Sequence, residues 1–281
     1  MKNKTVLIAG STGLIGQHLV SSAPKDWLVL TPSRDDLNSM FGCYFNPPVD
    51  VVIHAAGSAA PEVFQADPID SIQANTELTI RLMKMLKRTG SFLFCSSTEV
   101  YSHGTTTPQH PRGCYIEGKR CGEAIVHAYR SMGADAKSAR IALTYGPGTK
   151  KHDTRVVNQF IEQALTTGRI NLRDSGEATR MFCYVTDMAE MLWNIVLRGT
   201  QPVYEVGGPE RASINQLAMM IGYLTDAKVS IPVITPSKDA AADVQLNDSY
   251  IKEFGREKST SLRDGLIKTI EYQRSLYQCE K

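Results

Sequence analysis

The segment "TVLIAGSTGLIGQHLV", residues 5–20, constrains this chain more than any other. A short apolar run meets Gly10, and Gly13 and Gly16 then open a stretch with helical periodicity. That pattern fits a buried strand turning tightly into a helix, because glycine permits the turn. It also lets backbone N–H groups at the positive end of the helix approach a pyrophosphate. The spacing is G-x-x-G-x-x-G, not G-x-G-x-x-G. At the front of an alternating strand and helix pattern it predicts dinucleotide binding through Gly10, Thr12, Gly13, Leu14, Ile15 and Gly16. The alternative is that these glycines serve the turn alone.

The alternation is sustained. "TVLIAG", "WLVLT", "DVVIHAAG", "SFLFCSS" and "SARIALTYG" read as strands separated by amphipathic helical stretches such as "SIQANTELTIRLMKMLKRTG", residues 71–90. This predicts an α/β fold, a Rossmann-type doubly wound parallel sheet. The rhythm breaks at Tyr145-Gly146-Pro147-Gly148, so residues 1–145 are expected to form the dinucleotide-binding core. Residues 146–281 are expected to be mostly a small C-terminal α/β substrate lobe interwoven with it. There, "VVNQFIEQALTTG", "SINQLAMMIGYLTD" and "SLRDGLIKTIEYQRSLY" read as helices, with Ser213 and Ser261 as N-caps. "RINLRDSG", "VYEVGG" and "KVSIPVI" read as short strands.

Composition excludes several classes. The net charge is +2 with Lys and Arg dispersed among acids, which gives no electrostatic case for nucleic acid or an acidic membrane surface. No apolar run approaches the ~18 residues of a membrane span, and the N-terminus lacks a signal-peptide pattern, so a soluble cytoplasmic protein is expected. Six widely spaced cysteines, none in a C-x-x-C pair, read as free thiols rather than disulfides or a metal site.

The second strand of such a fold commonly ends in an acid that binds the adenosine ribose. Here "LVLTPSRDD" places Leu30, Thr31, Pro32 and Ser33 there, then Arg34. A missing acid and a nearby arginine suit a 2′-phosphate, so the cofactor is NAD or NADP, leaning to NADP; otherwise Asp35 or Asp36 serves the ribose. Ala55, Ala56 and Gly57, at the end of what reads as the fourth strand, would let the cofactor lie against the backbone. His54 reads as a packed core residue.

"RGCYIEGKR" carries Tyr115 and Lys119 one helical turn apart. A phenol with an ordinary pKa near 10 is a poor base at neutral pH, and a neighbouring ammonium stabilises its anion. An exposed i,i+4 pair is the plain alternative. With the glycine turn and the hydroxyls of "SSTEVYS" closing the intervening strand, the combination resembles the extended short-chain dehydrogenase/reductase family. It is most similar to its UDP-glucuronate decarboxylase and nucleotide-sugar dehydratase branch. "GSTGLIG", "VVIHAAG", "SSTEVY", "YIEGK", "YGPG", "TRMFCYVTDMAE" and "TSLRDGL" follow in family order across essentially the whole chain.

The resemblance implies a nucleotide-sugar substrate, Ser97 bonding its 4-hydroxyl, Tyr115 as base, Lys119 as activator and Asn75 ordering the lysine. It implies oxidation to a 4-ketone, followed by decarboxylation or dehydration. Those outcomes need a further group, and Thr98 and Glu99 occupy the family's positions for it; Glu99 without any chemical part is the alternative. A 4-epimerase, a 4-keto reductase or a catalytically silent NAD(P)-binding sensor are the competing functions. The resemblance also implies a homodimer through helices around 75–88 and 115–131. Two departures bear on the substrate. Leu143 stands where the family places an asparagine on the diphosphate, and "DAAADVQLNDSYIKEFG" lacks a late arginine, leaving Arg180 and Arg155 as candidate phosphate ligands. The segment between Tyr101 and Tyr115 is also short for the family.

Overall fold

A computed structural model describes residues 4–42, 48–57, 59–101, 110, 112–234, 247, 249–255 and 259–278. The chain divides into two compact units. One comprises Met1–Ile141, Ala189–Val206 and Asn247–Gly255, the other Ala142–Met188, Gly207–Leu246 and Arg256–Lys281. In chain order the elements begin β1 (Thr5–Ala9), α1 (Leu14–Ser21), β2 (Leu28–Leu30), α2 (Arg34–Gly42), β3 (Val49–His54) and α3 (Pro61–Ala66). Then come α4 (Pro68–Asn75), α5 (Glu77–Lys84), β4 (Leu86–Ser97), a 3₁₀ turn (Thr98–Tyr101), α6 (Gly113–Ser131), β5 (Asp135–Ile141) and β6 (Leu143–Tyr145). They continue as α7 (Val156–Thr167), β7 (Arg169–Asn171), β8 (Thr179–Tyr184), α8 (Val185–Arg198), β9 (Val203–Val206) and β10 (Glu210–Ser213). The last are α9 (Ile214–Thr225), β11 (Lys228–Ser230), α10 (Ser249–Phe254) and α11 (Leu262–Gln278).

The first unit is the expected Rossmann-type architecture. Its six-stranded sheet has the order β2, β1, β3, β4, β5, β9, and every neighbouring pair is parallel. Parallel strands covered on both faces read as nearly unbroken apolar runs, which is why "VLIA", "VVI" and "FLF" are fully buried. Because β1 is flanked by β2 on one side and β3 on the other, the connections diverge at its carboxyl end. In open α/β sheets that switch point is where a crevice opens.

Three details depart from the sequence reading. The "HAAG" segment ends the third strand of the chain, not the fourth, since no strand forms among the described residues between β2 and β3. The amphipathic stretch 71–90 is not one helix. Thr76 turns its hydroxyl back onto Ile72 O (2.8 Å), helix breaks there, and residues 86–90 extend β4, with Lys87 bonded to Asp50 of β3 at 2.8 Å. "SARIALTYG" is likewise two strands: β5 belongs to the first unit's sheet, while β6 starts a different one.

In the second unit β8 pairs with β6 in parallel and with β10 antiparallel, and β7 pairs with β11 in parallel. Neither β8 nor β10 was expected as a strand. The core joins Tyr145 and Phe182 to Phe160 and Ile161 of α7, Leu217 and Ile221 of α9, and Leu266 and Ile270 of α11. Both predicted caps form. Ser213 and Gln216 make a reciprocal capping box on α9, and Ser261 Oγ accepts from Asp264 N at 3.1 Å on α11. Among the described residues no helix is long and apolar enough to cross a membrane. Ser213→Ala removes one half of the α9 box and is expected to cost about 1 kcal/mol in urea unfolding.

Candidate active site

At the switch point Ala55 N donates to Ala9 O at 2.9 Å, which draws the ends of β3 and β1 together. Gly10 takes a φ of +83°, and a Cβ there would stand 2.5 Å from Ala55 O; a Cβ on Gly16 would stand 2.1 Å from Gly10 O. Only glycine fits either position, and no side chain caps the start of α1 at Gly13. The turn through Thr12 to Leu14, Ile15 and Gly16 is therefore bare backbone at a helix N-terminus, a cradle that suits a pyrophosphate. Ala55, Ala56 and Gly57 lie beside it, and Gly57 faces Asn75.

Beyond β2, Ser33 and Asp36 cap α2 reciprocally: Ser33 N and Oγ donate to Asp36 Oδ2 at 2.9 and 2.6 Å. These bonds hold the Asp36 carboxyl below its usual range. Arg34 makes an exposed bidentate pair with Asp70, at 2.9 and 3.1 Å.

The second cluster sits at the carboxyl end of β4. Helix α6 can lie close because glycines face its neighbours: a Cβ on Gly122 would meet the Phe94 ring at 2.5 Å and Asn75 O at 2.7 Å. Lys119 is buried, and its Nζ donates to Cys95 O at 2.7 Å. The ammonium lies 4.8 Å from the Phe94 ring centroid and 5.9 Å from that of Tyr115. Burial pulls the Lys119 pKa down to about 8, against the opposing pull of Cys95 and Glu123. Tyr115, 5% exposed, stacks on Phe64 of α3 at 5.2 Å and 15°. Burial raises its phenol, Glu99 raises it further, and a hydrogen bond with the Ser97 side chain and the Arg112 charge act the other way. Ser97 Oγ also accepts from Glu99 N at 3.2 Å.

The structure thus brings together Ser97, Glu99, Tyr115 and Lys119, which lie 22 residues apart at most, with Thr98 half-buried in the 3₁₀ turn beside them. Asn75 is buried on α4, donating Nδ2 to Ser71 O at 2.7 Å, while its Oδ1 has no partner among the described residues. His54 is fully buried with Nε2 on Ala74 O (3.0 Å), and burial followed by the Lys119 charge holds its pKa down to about 3.

Two residues escaped the sequence reading. Phe64 is brought against Tyr115 only by the fold. Arg112 gives Nη1 to both oxygens of Glu99, at 2.7 and 2.8 Å. Its position three residues before Tyr115 at a helix start was the available signal.

Other expected residues lie in the second unit. Arg155 is held by Asp153, with Nε at 2.9 and 3.1 Å from its two oxygens. Arg180 donates to Thr179 O at 2.7 Å. Leu143 is half-buried against the core formed by Phe182 and its neighbours. Residues 102–109 and 111, in the short segment before Tyr115, lie outside the described residues, as does most of 239–248. Cys95, Cys114, Cys121 and Cys183 are free thiols; Cys43 and Cys279 lie outside the described residues.

Comparison with known proteins shows the family to which the chain belongs. The family model described as the NAD dependent epimerase/dehydratase family matches residues 6–207. UDP-glucuronic acid decarboxylase 1 of Xenopus tropicalis is 30% identical over 307 aligned positions, covering 96% of this chain and 72% of that protein. UDP-glucuronic acid decarboxylase 6 of Arabidopsis thaliana is 30% identical, covering 94% of this chain and 87% of that one. Among solved structures, UDP-glucose 4-epimerase of Thermotoga maritima superposes with a TM-score of 0.80 at 22% identity, covering 97% and 99% of the two chains, a likeness of fold. The glycine cradle at the end of β1 and the match over most of the chain lead to one conclusion: the protein belongs to the NAD dependent epimerase/dehydratase family.

Proposed function

We propose that the protein is an NAD(P)-dependent lyase that modifies a nucleotide sugar through a 4-keto intermediate, by decarboxylation or dehydration. The observation that carries the reading is the buried hydroxyl, phenol and ammonium of Ser97, Tyr115 and Lys119 at the end of β4, with the Glu99 carboxylate beside them. The names of the two relatives support the substrate class.

The residues at the β1 turn (Gly10, Thr12, Gly13, Leu14, Ile15 and Gly16) would hold the cofactor's pyrophosphate, with Ala55, Ala56, Gly57 and Asn75 along its path. When bound, the cofactor supplies the acceptor, and later the donor, of a hydride. Arg34 would take a 2′-phosphate by leaving Asp70, a small cost because exposed ion pairs contribute little; this favours NADP. Ser97 orients the sugar 4-hydroxyl and Tyr115 takes its proton as C4 is oxidised. Lys119 steadies the phenolate, countering the burial that raises the phenol. The 4-ketone then acidifies C5 and accepts the electron pair released when a C5 substituent or proton is lost. Arg180, with Arg155 if it leaves Asp153, would serve the phosphates in place of the family asparagine that Leu143 replaces. The protein would act in the cytoplasm as a homodimer, whose face would include the exposed Ile80 of α5 and the exposed Cys121, Ala124 and Ala128 of α6.

The test is to offer UDP-glucuronate and several nucleotide hexoses with each cofactor in D₂O and follow products by NMR. One deuteron at C5 of the product is expected; an unlabelled C5 with inverted C4 would replace this reading with epimerisation. Tyr115→Phe is expected to lower turnover at least ~100-fold, the lower end of what proton transfer by a positioned side chain contributes.

The lysine makes function and stability conflict. Its folded pKa of about 8 is below the ordinary 10.5. Below about pH 8 both folded and unfolded chains carry the proton, and the fold bears a buried charge. Between about 8 and 10.5 the unfolded chain holds more protons, so stability rises with pH through that window. Lys119→Met is therefore expected to abolish turnover yet stabilise the cofactor-free protein by about 2 kcal/mol at pH 7, with the gain shrinking by pH 10. Urea unfolding at both pH values measures it, and a less stable variant at pH 7 would contradict the account.

A further inference from the structure

We propose that Glu123 is the counter-ion of the Lys119 ammonium, a positioning residue that acts through the lysine and is itself fixed by Ser96 and Arg140. The inference rests on the reading above that Tyr115 takes a proton while Lys119 steadies its phenolate. Tyr115, Lys119 and Glu123 follow at four-residue intervals on α6, so successive turns present a phenol, an ammonium and a carboxylate along one face. Three adjacent residues of β4 receive them. Ser97 bonds the phenol, the carbonyl of Cys95 accepts from Lys119 Nζ at 2.7 Å, and Ser96 Oγ donates to Glu123 Oε1 at 2.5 Å.

A buried ammonium is held in its charged form by negative charge nearby. Lys119 is 5% exposed, and burial works against its proton. The Cys95 thiol would draw on the ammonium once ionised, but burial pushes that thiol up to about 12. His54 is neutral and Tyr115 is a raised phenol. Glu99, which acts on Tyr115, is paired with Arg112. That leaves the Glu123 carboxylate as the negative charge that draws on the lysine.

Glu123 is built into the fold. Its side chain is 12% exposed, and Arg140 of β5 donates to its two oxygens from Nε, at 3.0 and 3.2 Å, and from Nη2, at 2.7 Å. Arg140 also donates to Tyr101 OH, at the end of the 3₁₀ turn. Its Nη1 stands 3.8 Å from Glu205, a buried residue of the edge strand β9. Lys119, Glu123, Arg140 and Glu205 thus alternate in sign from the site to the edge of the sheet. A rigid guanidinium fork shared between two carboxylates fixes Glu123 without cancelling its charge. A charge so fixed in a low-dielectric interior favours the protonated lysine, and with it the phenolate one turn away.

An NMR titration of cofactor-free protein labelled at its lysine side chains tests this without turnover, the Lys119 signal being identified by its loss in Lys119→Met. The wild-type midpoint is expected at about 8. Glu123→Gln is expected to lower it by about one pH unit, with Glu123→Asp recovering about half of that. Arg140→Gln, which bares the carboxylate, is expected to raise it by ~0.5 pH unit, and Ser96→Ala, which removes a bond but no charge, to leave it within ~0.3. If Arg140→Gln does not fold, the Glu123 and Ser96 variants decide alone. In the pH profile of kcat/KM the basic limb is expected to follow the lysine midpoint down in Glu123→Gln. A midpoint that stays or rises in Glu123→Gln would overturn the inference. So would a fall in Arg140→Gln, an equal shift in Ser96→Ala, or a basic limb that stays put while the midpoint moves. Turnover of a sugar with an unmoved midpoint sinks this inference alone. A midpoint that falls in a protein that turns over no sugar upholds the counter-ion and sinks the lyase reading.

Discussion

The site depends on where α6 crosses the end of β4, and a single buried hydrogen bond fixes that crossing. The Lys119 ammonium, taken out of water, finds its acceptor in the carbonyl of Cys95, two residues before Ser97. A buried charge without such a partner would cost several kcal/mol, so the helix has little freedom to slide or turn. Gly122 of α6 makes the approach possible: a side chain there would run into Phe94 and the carbonyl of Asn75. Once α6 is set down at that height, Tyr115 one turn earlier comes over Ser97, and Arg112 at the helix start reaches Glu99. Backbone packing, cation burial and the phenol's surroundings are consequences of one docking geometry.

That geometry has a price in protonation energetics. Burial disfavours the charged form of every group it encloses: it lowers Lys119, raises Tyr115 and leaves His54 neutral. A phenol in this setting is a poor base unless something restores stability to its anion. The Ser97 hydrogen bond and the Arg112 charge already act in that direction. In the proposed mechanism the substrate hydroxyl and the cofactor complete the environment. The site is then poised by binding, and its chemistry waits on occupancy.

Much of this was legible in the sequence because it is written in short-range spacing. The glycine turn after "VLIA", the apolar runs of β1, β3 and β4, and the i,i+4 separation of Tyr115 and Lys119 each depend on neighbours within a turn or a strand. So do the caps at Ser213 and Ser261. The misses depend on contacts between distant segments. Residues 86–90 look helical by periodicity, yet Lys87 is drawn into the sheet by Asp50. "SARIALTYG" reads as one strand because nothing local marks the change of sheet at Ala142. Phe64 stacks on Tyr115 from 51 positions away, and no pattern around it announces that. Arg112 lay in plain view within "RGCYIEGK", but its partner could be assigned only when the 3₁₀ turn placed Glu99 across from it.

The central claim is that the cluster on β4 and α6 oxidises a sugar at C4. The most direct measurement supplies UDP-glucuronate deuterated at C4 to protein loaded with oxidised cofactor, then reads the cofactor by mass spectrometry in samples quenched within the first turnover, before the hydride returns to the sugar. The account predicts deuterium in the nicotinamide ring with wild-type protein and none with Tyr115→Phe. Product formed with every deuteron still at C4, and none ever detected in the cofactor, would contradict it.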